Sequence, residues 1–255
     1  MKVGLFQYSP YWEDKEKNKK KILEILSLAK SKFELIVFPE MTLSGFSMKT
    51  ALAEPFNVEE SPTLKFFSDV AKNFSTNLSA GFIEKENEKA YNTLFFIDKN
   101  GEVIAKYRKI HLFSFAKEEK FYDAGDEPVI VEIQNLRIGL SICYDLRFPE
   151  LFRIYGKSRV DLIINIANWP VTRIEHYNHL LKARAIENQC FVIGVNRVGY
   201  GGKDYYDGRS SVIDPIGNEI VCIKDEEKLI EAEIDLNLVK KVREQFPFLN
   251  DIKLI

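Results

Sequence analysis

The chain has 255 residues, 36 Lys and Arg against 38 Asp and Glu, and a hydrophobic fraction of 45%. A net charge of −2 leaves no basic footprint for nucleic acid, and no apolar run approaches the roughly 20 residues of a membrane helix. The three cysteines, Cys143, Cys190 and Cys222, are too few and too scattered for a disulfide framework or a structural zinc site.

Residues 1–10 are too short in their apolar part for a secretory signal. A reducing, cytoplasmic setting is therefore expected, and it keeps a reactive thiol available. Residues 3–7 read as a strand. Residues 14–32 follow as a helix, with Ile22, Leu23, Ile25, Leu26 and Ala29 at helical spacing. Its basic run 15–21 is interleaved with acids and reads as a solvated face. The nearly all-apolar run 35–38 reads as a strand covered on both faces. A second helix is predicted over 61–74, with Ser61 as N-cap and Pro62 in the first turn, where a missing N–H is harmless.

The period then changes from helical to alternating. Segments 77–84, 90–98 and 102–106 read as strands, with Asp98-Lys-Asn-Gly101 as a hairpin turn. Segments 129–133 and 137–142 make another strand pair. Residues 148–158 read as a helix, 160–166 as a buried strand, 173–188 as a longer helix and 191–196 as a strand. The Gly-rich stretch 199–202 reads as a flexible loop. Segments 210–214 and 219–223 flank the turn Asp214-Pro-Ile-Gly217, and 235–245 reads as a short helix capped by Asp235. No linker divides the chain, so a single domain over residues 1–255 is expected. Mixed strands and helices predict a layered α/β domain, and the pattern leaves a doubly wound parallel sheet open.

Three places put a reactive side chain at a strand end. Glu40 follows a buried run and a proline that stops the strand, at the kind of edge where α/β ligand sites gather. Lys109 sits in Tyr107-Arg-Lys-Ile-His-Leu-Phe113. Cys143 ends an apolar strand and precedes a polar stretch that becomes helical, a junction where backbone N–H groups can face an oxyanion. Taken singly, each is ordinary: a loop carboxylate, a solvated lysine, a core thiol. Cys190 and Cys222 lack such a junction. His176 and His179, three apart on a predicted helix, sit in no metalloprotease-type motif, and no phosphate loop or GxSxG elbow occurs.

Taken in order, VFPE with Glu40, YRKIHLF with Lys109 and CYDLRFPE with Cys143 resemble the nitrilase-like carbon–nitrogen hydrolase family. Ala167-Asn-Trp-Pro170, Ala183-Arg-Ala-Ile-Glu-Asn-Gln189 and Asp214-Pro-Ile-Gly217 extend the resemblance over the whole chain, and the first two together look most like its omega-amidase branch. The resemblance implies a four-layer α-β-β-α sandwich, usually a homodimer. It maps the catalytic Glu, Lys and Cys onto Glu40, Lys109 and Cys143. A further glutamate is expected at Glu118, or at Glu119, ahead of Gly125. The implied reaction is hydrolysis of the terminal amide of α-ketoglutaramate or α-ketosuccinamate, with no metal or organic cofactor. Deaminated glutathione, N-carbamoyl amines and nitriles are the alternative substrates, and a catalytically dead scaffold is the non-enzyme alternative.

A cysteine thiol titrates at about 8.5, so a base is needed near neutrality, and Glu40 is the candidate. Lys109 favours the thiolate and can donate to the oxyanion with the backbone N–H of Tyr144. Asn168 and Trp169 are expected to wall the pocket, since strand 160–166 should end near Cys143. The substrate carboxylate needs a cation: Arg147, Arg173 and Arg184 are candidates. Of these, Arg147 is placed to brace the Cys143 loop and Arg184 to pair with Glu187.

Overall fold

Alternation along the strands sorts the side chains into layers. The structure, a computed structural model describing residues 1–254, places fourteen strands in two seven-stranded sheets. The first sheet holds β1 (Lys2–Gln7), β2 (Leu35–Val37), β3 (Glu54–Pro55), β4 (Asn77–Glu86), β5 (Lys89–Ile97), β6 (Val103–Arg108) and, far along the chain, β14 (Lys228–Glu233). The second holds β7 (Ile130–Ile133), β8 (Leu136–Ile142), β9 (Leu162–Ala167), β10 (Phe191–Asn196), β11 (Val198–Gly201), β12 (Asp204–Ile213) and β13 (Glu219–Lys224). Helices α1 (Lys15–Ser27) and α2 (Pro62–Phe74) cover the first sheet; α3 (Pro149–Lys157) and α4 (Ile174–Asn188) cover the second.

Within the first sheet, Val3, Leu5, Leu35, Val37, Leu94 and Phe96 face Ile138, Leu140, Ile142, Leu162, Ile164 and Ile166 of the second. Their neighbours Phe6, Ile36, Phe38, Phe95 and Ile97 turn outward onto Ile22 and Leu26 of α1 and Leu64, Phe67 and Val70 of α2. The result is the expected four-layer sandwich. Two separate sheets replace the single doubly wound sheet that the pattern alone left open.

Each sheet has a parallel centre. Strands β1, β2 and β4 run parallel in one, and β8, β9 and β10 in the other. Antiparallel strands flank both centres. In register, Ile142 sits beside Ile166 and Ile166 beside Val195, so three neighbouring strands release their chains at one edge.

The helix caps follow local chemistry. Ser61 accepts the Leu64 N–H, and Pro62 opens α2, as the sequence predicts. Asp14 caps α1 through the Lys17 N–H. That helix ends at Ser27, short of the predicted residue 32, because the Leu28 N–H turns to Ile25 O and tightens the last turn. Helix α5 (Asn237–Gln245) starts later than expected: Leu236 occupies the cap position, and Asp235 accepts the Asn237 N–H one residue earlier. The stretch read as a flexible loop is instead β11 and its hairpin turn into β12. Among the described residues no helix is long and apolar enough to cross a membrane.

Candidate active site

Four segments leave the sheets at the same edge of the sandwich. Glu40 comes three residues after β2, Lys109 directly after β6, Cys143 directly after β8 and Asn168 directly after β9. All four are buried. Lys109 Nζ donates to Glu40 Oε1 at 2.9 Å and to Glu118 Oε2 at 2.9 Å. Asn92 Nδ2 bridges the two carboxylates, at 2.7 Å from Glu40 Oε1 and 2.9 Å from Glu118 Oε1. The Asn168 N–H holds the other Glu40 oxygen at 2.9 Å, and the Phe113 N–H holds Glu118 Oε2 at 2.6 Å. Glu118 is therefore the inward glutamate, while Glu119 is exposed. Cys143 Sγ faces the Asn168 carbonyl oxygen at 4.0 Å.

Electrostatics divides the cluster. Burial pulls Lys109 down, but the charges of Glu118 and Glu40 outweigh it and hold the ammonium above its ordinary range. Burial, reinforced by Glu40, pushes the Cys143 thiol well above its ordinary value, and Lys109 offsets this only in part. Lys109 does favour the thiolate, as expected, but the resting sulfur is a thiol. Cys190 and Cys222 are pushed up to about 12 and about 11, chiefly by burial, and neither lines the cavity described below.

The nucleophile position is strained. Cys143 has φ 45° and Met41 has φ 45°, in the left-handed region that costs a non-glycine residue about 1–3 kcal/mol. A side chain that the sequence did not single out holds this turn. Asp145 Oδ2 accepts from the Ile142 N–H at 2.9 Å and the Tyr107 hydroxyl at 2.7 Å. Its Oδ1 accepts from the His111 N–H at 2.9 Å and His111 Nδ1 at 2.8 Å. One buried carboxylate thus ties the end of β6, the segment after Lys109 and the end of β8. His111 is structural, stacked on Phe148 with centroids 3.8 Å apart.

Cys143 opens into a cavity of about 500 Å³. Tyr144, Asn168 and Trp169 line it. Phe46, Phe113 and Tyr206 add aromatic wall, and Arg147, Arg173 and Lys203 bring positive charge. The candidate cations separate cleanly. Arg184 is buried behind the Cys143 turn, bound to Glu187 Oε1 at 2.9 Å and Leu146 O at 2.7 Å, away from the cavity. Arg147 lies 4.7 Å from the Trp169 ring and 3.3 Å from His176 Nδ1. It reaches across to His176 of α4 and also lies 5.9 Å from the ring of Tyr144 in its own loop. His179 Nδ1 donates to Glu175 O at 2.6 Å, so the two histidines point to different partners. Among the described residues no cluster of three His, Cys, Asp or Glu suits a metal ion.

Asn92, Asp145, Arg197 and Tyr206 at or behind the site escaped the sequence reading. Asn92 carried a usable signal: a polar amide inside the predicted strand 90–98, most of which is apolar. Asp145 carried none beyond its place two residues after Cys143.

The fold and the comparisons with known proteins define the class: a hydrolase acting on carbon–nitrogen bonds other than peptide bonds. Residues 2–244 match the carbon-nitrogen hydrolase family, and the chain belongs to that family. It is 32% identical over 252 residues to a 2-oxoglutaramate amidase of Bacillus subtilis, covering 98% of this chain and 97% of that protein. It is 35% identical over 254 residues to the omega-amidase YafV of Escherichia coli, covering 98% and 96%. Among solved structures, XC1258 from Xanthomonas campestris is a CN-hydrolase superfamily protein with an arsenic adduct in its active site. It superposes with a TM-score of 0.92 at 32% identity, covering 100% of this chain and 98% of that one.

Proposed function

We propose that the protein hydrolyses the terminal amide of a small 2-oxo dicarboxylate monoamide, α-ketoglutaramate or α-ketosuccinamate, through an acyl-thioester on Cys143. The observation that carries this reading is a convergence. Cys143, under the charges of the paired Glu40 and Lys109, lines a cavity together with Arg147, Arg173 and Lys203, and none of these three cations pairs with a carboxylate among the described residues. Asp204 is the one carboxylate in the same lining, so positive charge remains in excess there and suits a substrate carboxylate. The names of the two amidase relatives support the same substrate class.

The cycle follows from the charges. Because the thiol rests protonated, its proton moves to Glu40 as sulfur attacks the amide carbon. The oxyanion is met by Lys109 Nζ and the Tyr144 N–H. Removing one such donor typically costs about 100–1000-fold in rate. Glu40 returns the proton to the departing ammonia, leaving the acyl-thioester, then activates the water that releases the acid. Glu118 keeps Lys109 paired and cationic while Glu40 is neutral. Asn168 and Trp169 wall the acyl group.

A second reading follows from the size of the cavity, which has room for a substrate longer than a five-carbon keto acid: deaminated glutathione. Ammonia release from α-ketoglutaramate, deaminated glutathione, an N-carbamoyl β-amino acid and an arylnitrile ranks the readings. The keto acid amide should lead, and turnover of the nitrile alone would overturn the proposal.

The same reading includes a cytoplasmic homodimer of one domain spanning residues 1–255. Ile154 of α3 and Ile186 of α4 lie exposed on the outer helical layer, apolar surface that a second copy would cover. Sedimentation at twice 29.5 kDa is the expected result.

A further inference from the structure

Arg197 is the largest fully buried side chain described in the protein, and it has no carboxylate partner among the described residues. Its Nη2 donates to Tyr200 O at 2.7 Å and its Nε to Val198 O at 3.3 Å. Those carbonyls answer the hydrogen bonds but leave the charge unbalanced, an expensive arrangement for a buried ion. The guanidinium lies 4.7 Å from the Tyr206 ring. Gly201 makes that contact possible, since a Cβ there would come within 2.8 Å of Arg197 Nη1 and 3.1 Å of Tyr206 Cε2.

Tyr206 is itself a cavity wall. Its hydroxyl has no hydrogen-bond partner among the described residues and is not sealed from solvent. Burial pushes the phenol up to about 12, with Arg197 pulling down and Asp204 pushing up, so it stays a neutral donor. A cation against the ring draws electron density from it and sharpens the O–H as a donor. An anion on the cavity side of Tyr206 would in turn answer the charge behind it.

We infer that Tyr206 and Arg197 form a stacked couple that recognises the carboxylate end of the substrate, with the Tyr206 hydroxyl making the contact and Arg197 acting through it as a positioning residue. This rests on the amidase reading and deepens it. The probe is 2-oxoglutarate, whose binding needs no turnover. By calorimetry on the full chain, Tyr206→Phe should weaken binding about tenfold or more, as expected for a lost hydrogen bond to a charged group. Arg197→Met should weaken it in the same direction. The double variant should be little worse than Tyr206→Phe, because Arg197 acts through the hydroxyl. A merely structural arginine would give additive losses instead. The control is Tyr205→Phe, whose hydroxyl already pairs with Asp225 at 2.6 Å; it should bind as wild type does. If Arg197→Met fails to fold, Arg197→Lys takes its place in the cycle. Unchanged affinity in Tyr206→Phe, additive losses, or no 2-oxoglutarate binding by the wild type would each overturn the inference. The ammonia-release panel decides the amidase reading separately.

Discussion

Replacing Glu40 with Gln separates two effects of a carboxylate beside a thiol. Glu40 Oε1 accepts from Lys109 and Asn92, and Oε2 accepts from the Asn168 N–H. Whichever way the new amide turns, its NH2 faces a donor, a mismatch worth about 1–3 kcal/mol. That is a loss most folded domains survive. At Cys143, the substitution removes the anion that burial works with to hold the thiol up, while the pull of Lys109 remains. The thiol must then titrate at lower pH, and more thiolate is present at any given pH. If thiolate supply limited the reaction, the variant would gain. The base assignment predicts the opposite, a fall of about 100–10,000-fold, because nothing takes the thiol proton or returns it to ammonia. Ammonia release from α-ketoglutaramate and the pH dependence of Cys143 alkylation by iodoacetamide, measured on one preparation, test both halves. The labelling midpoint should drop while turnover collapses. Turnover within tenfold of wild type would refute the role given to Glu40.

Three further expectations follow from the same geometry. Glu118→Gln should lower kcat about 100-fold, since Lys109 loses its anion whenever Glu40 is protonated, whereas Glu119→Gln on the exposed side should change it little; kinetics of the pair checks this. Arg147→Met should raise KM for acid-bearing amides about tenfold with an unchanged melting temperature. Arg184→Met should instead lower stability by about 2 kcal/mol through the loss of its bonds to Leu146 and Glu187. Glu84 is buried, which raises its pKa, but hydrogen bonds from Arg108 and Lys106 win and hold it below its ordinary value. Its stabilising contribution is therefore complete above the unfolded value of about 4.3 and is lost as pH falls through the lower folded value. Urea melts between neutrality and strong acid should show this loss, and Glu84→Gln should flatten it.

The sequence disclosed elements better than their assembly. Phe191–Asn196 matched the predicted strand in both bounds, and Ser61 with Pro62 marked the start of α2, because caps and buried strands are written in a few adjacent residues. Strand β14 left little local trace: Lys228, Glu231 and Glu233 mix into it, since it is an edge strand paired only with β1. Strand β3 is two residues long and carries no period. The division of the strands between two sheets came from the resemblance, because alternation reports which face is buried and not which neighbour buries it. At the site, motif order singled out Glu40, Lys109 and Cys143, whereas only the folded chain shows that Glu118 turns inward onto Lys109 and Glu119 outward. Asp145 and Arg197 could not be read, because each acts through partners supplied by other strands.

The bonds that assemble the site span long stretches of chain. Glu40 meets Lys109 across 69 residues and Asn168 across 128, and Asp145 reaches back 38 residues to Tyr107. Such contacts form late, after long loops have closed. No fragment comprising one sheet and its helices contains the whole cluster. Catalysis is therefore an all-or-none report on closure of the sandwich. During refolding, ammonia release should return with the last packing of one sheet on the other, behind the recovery of helical signal, which makes enzymatic activity a sensor of the completed fold.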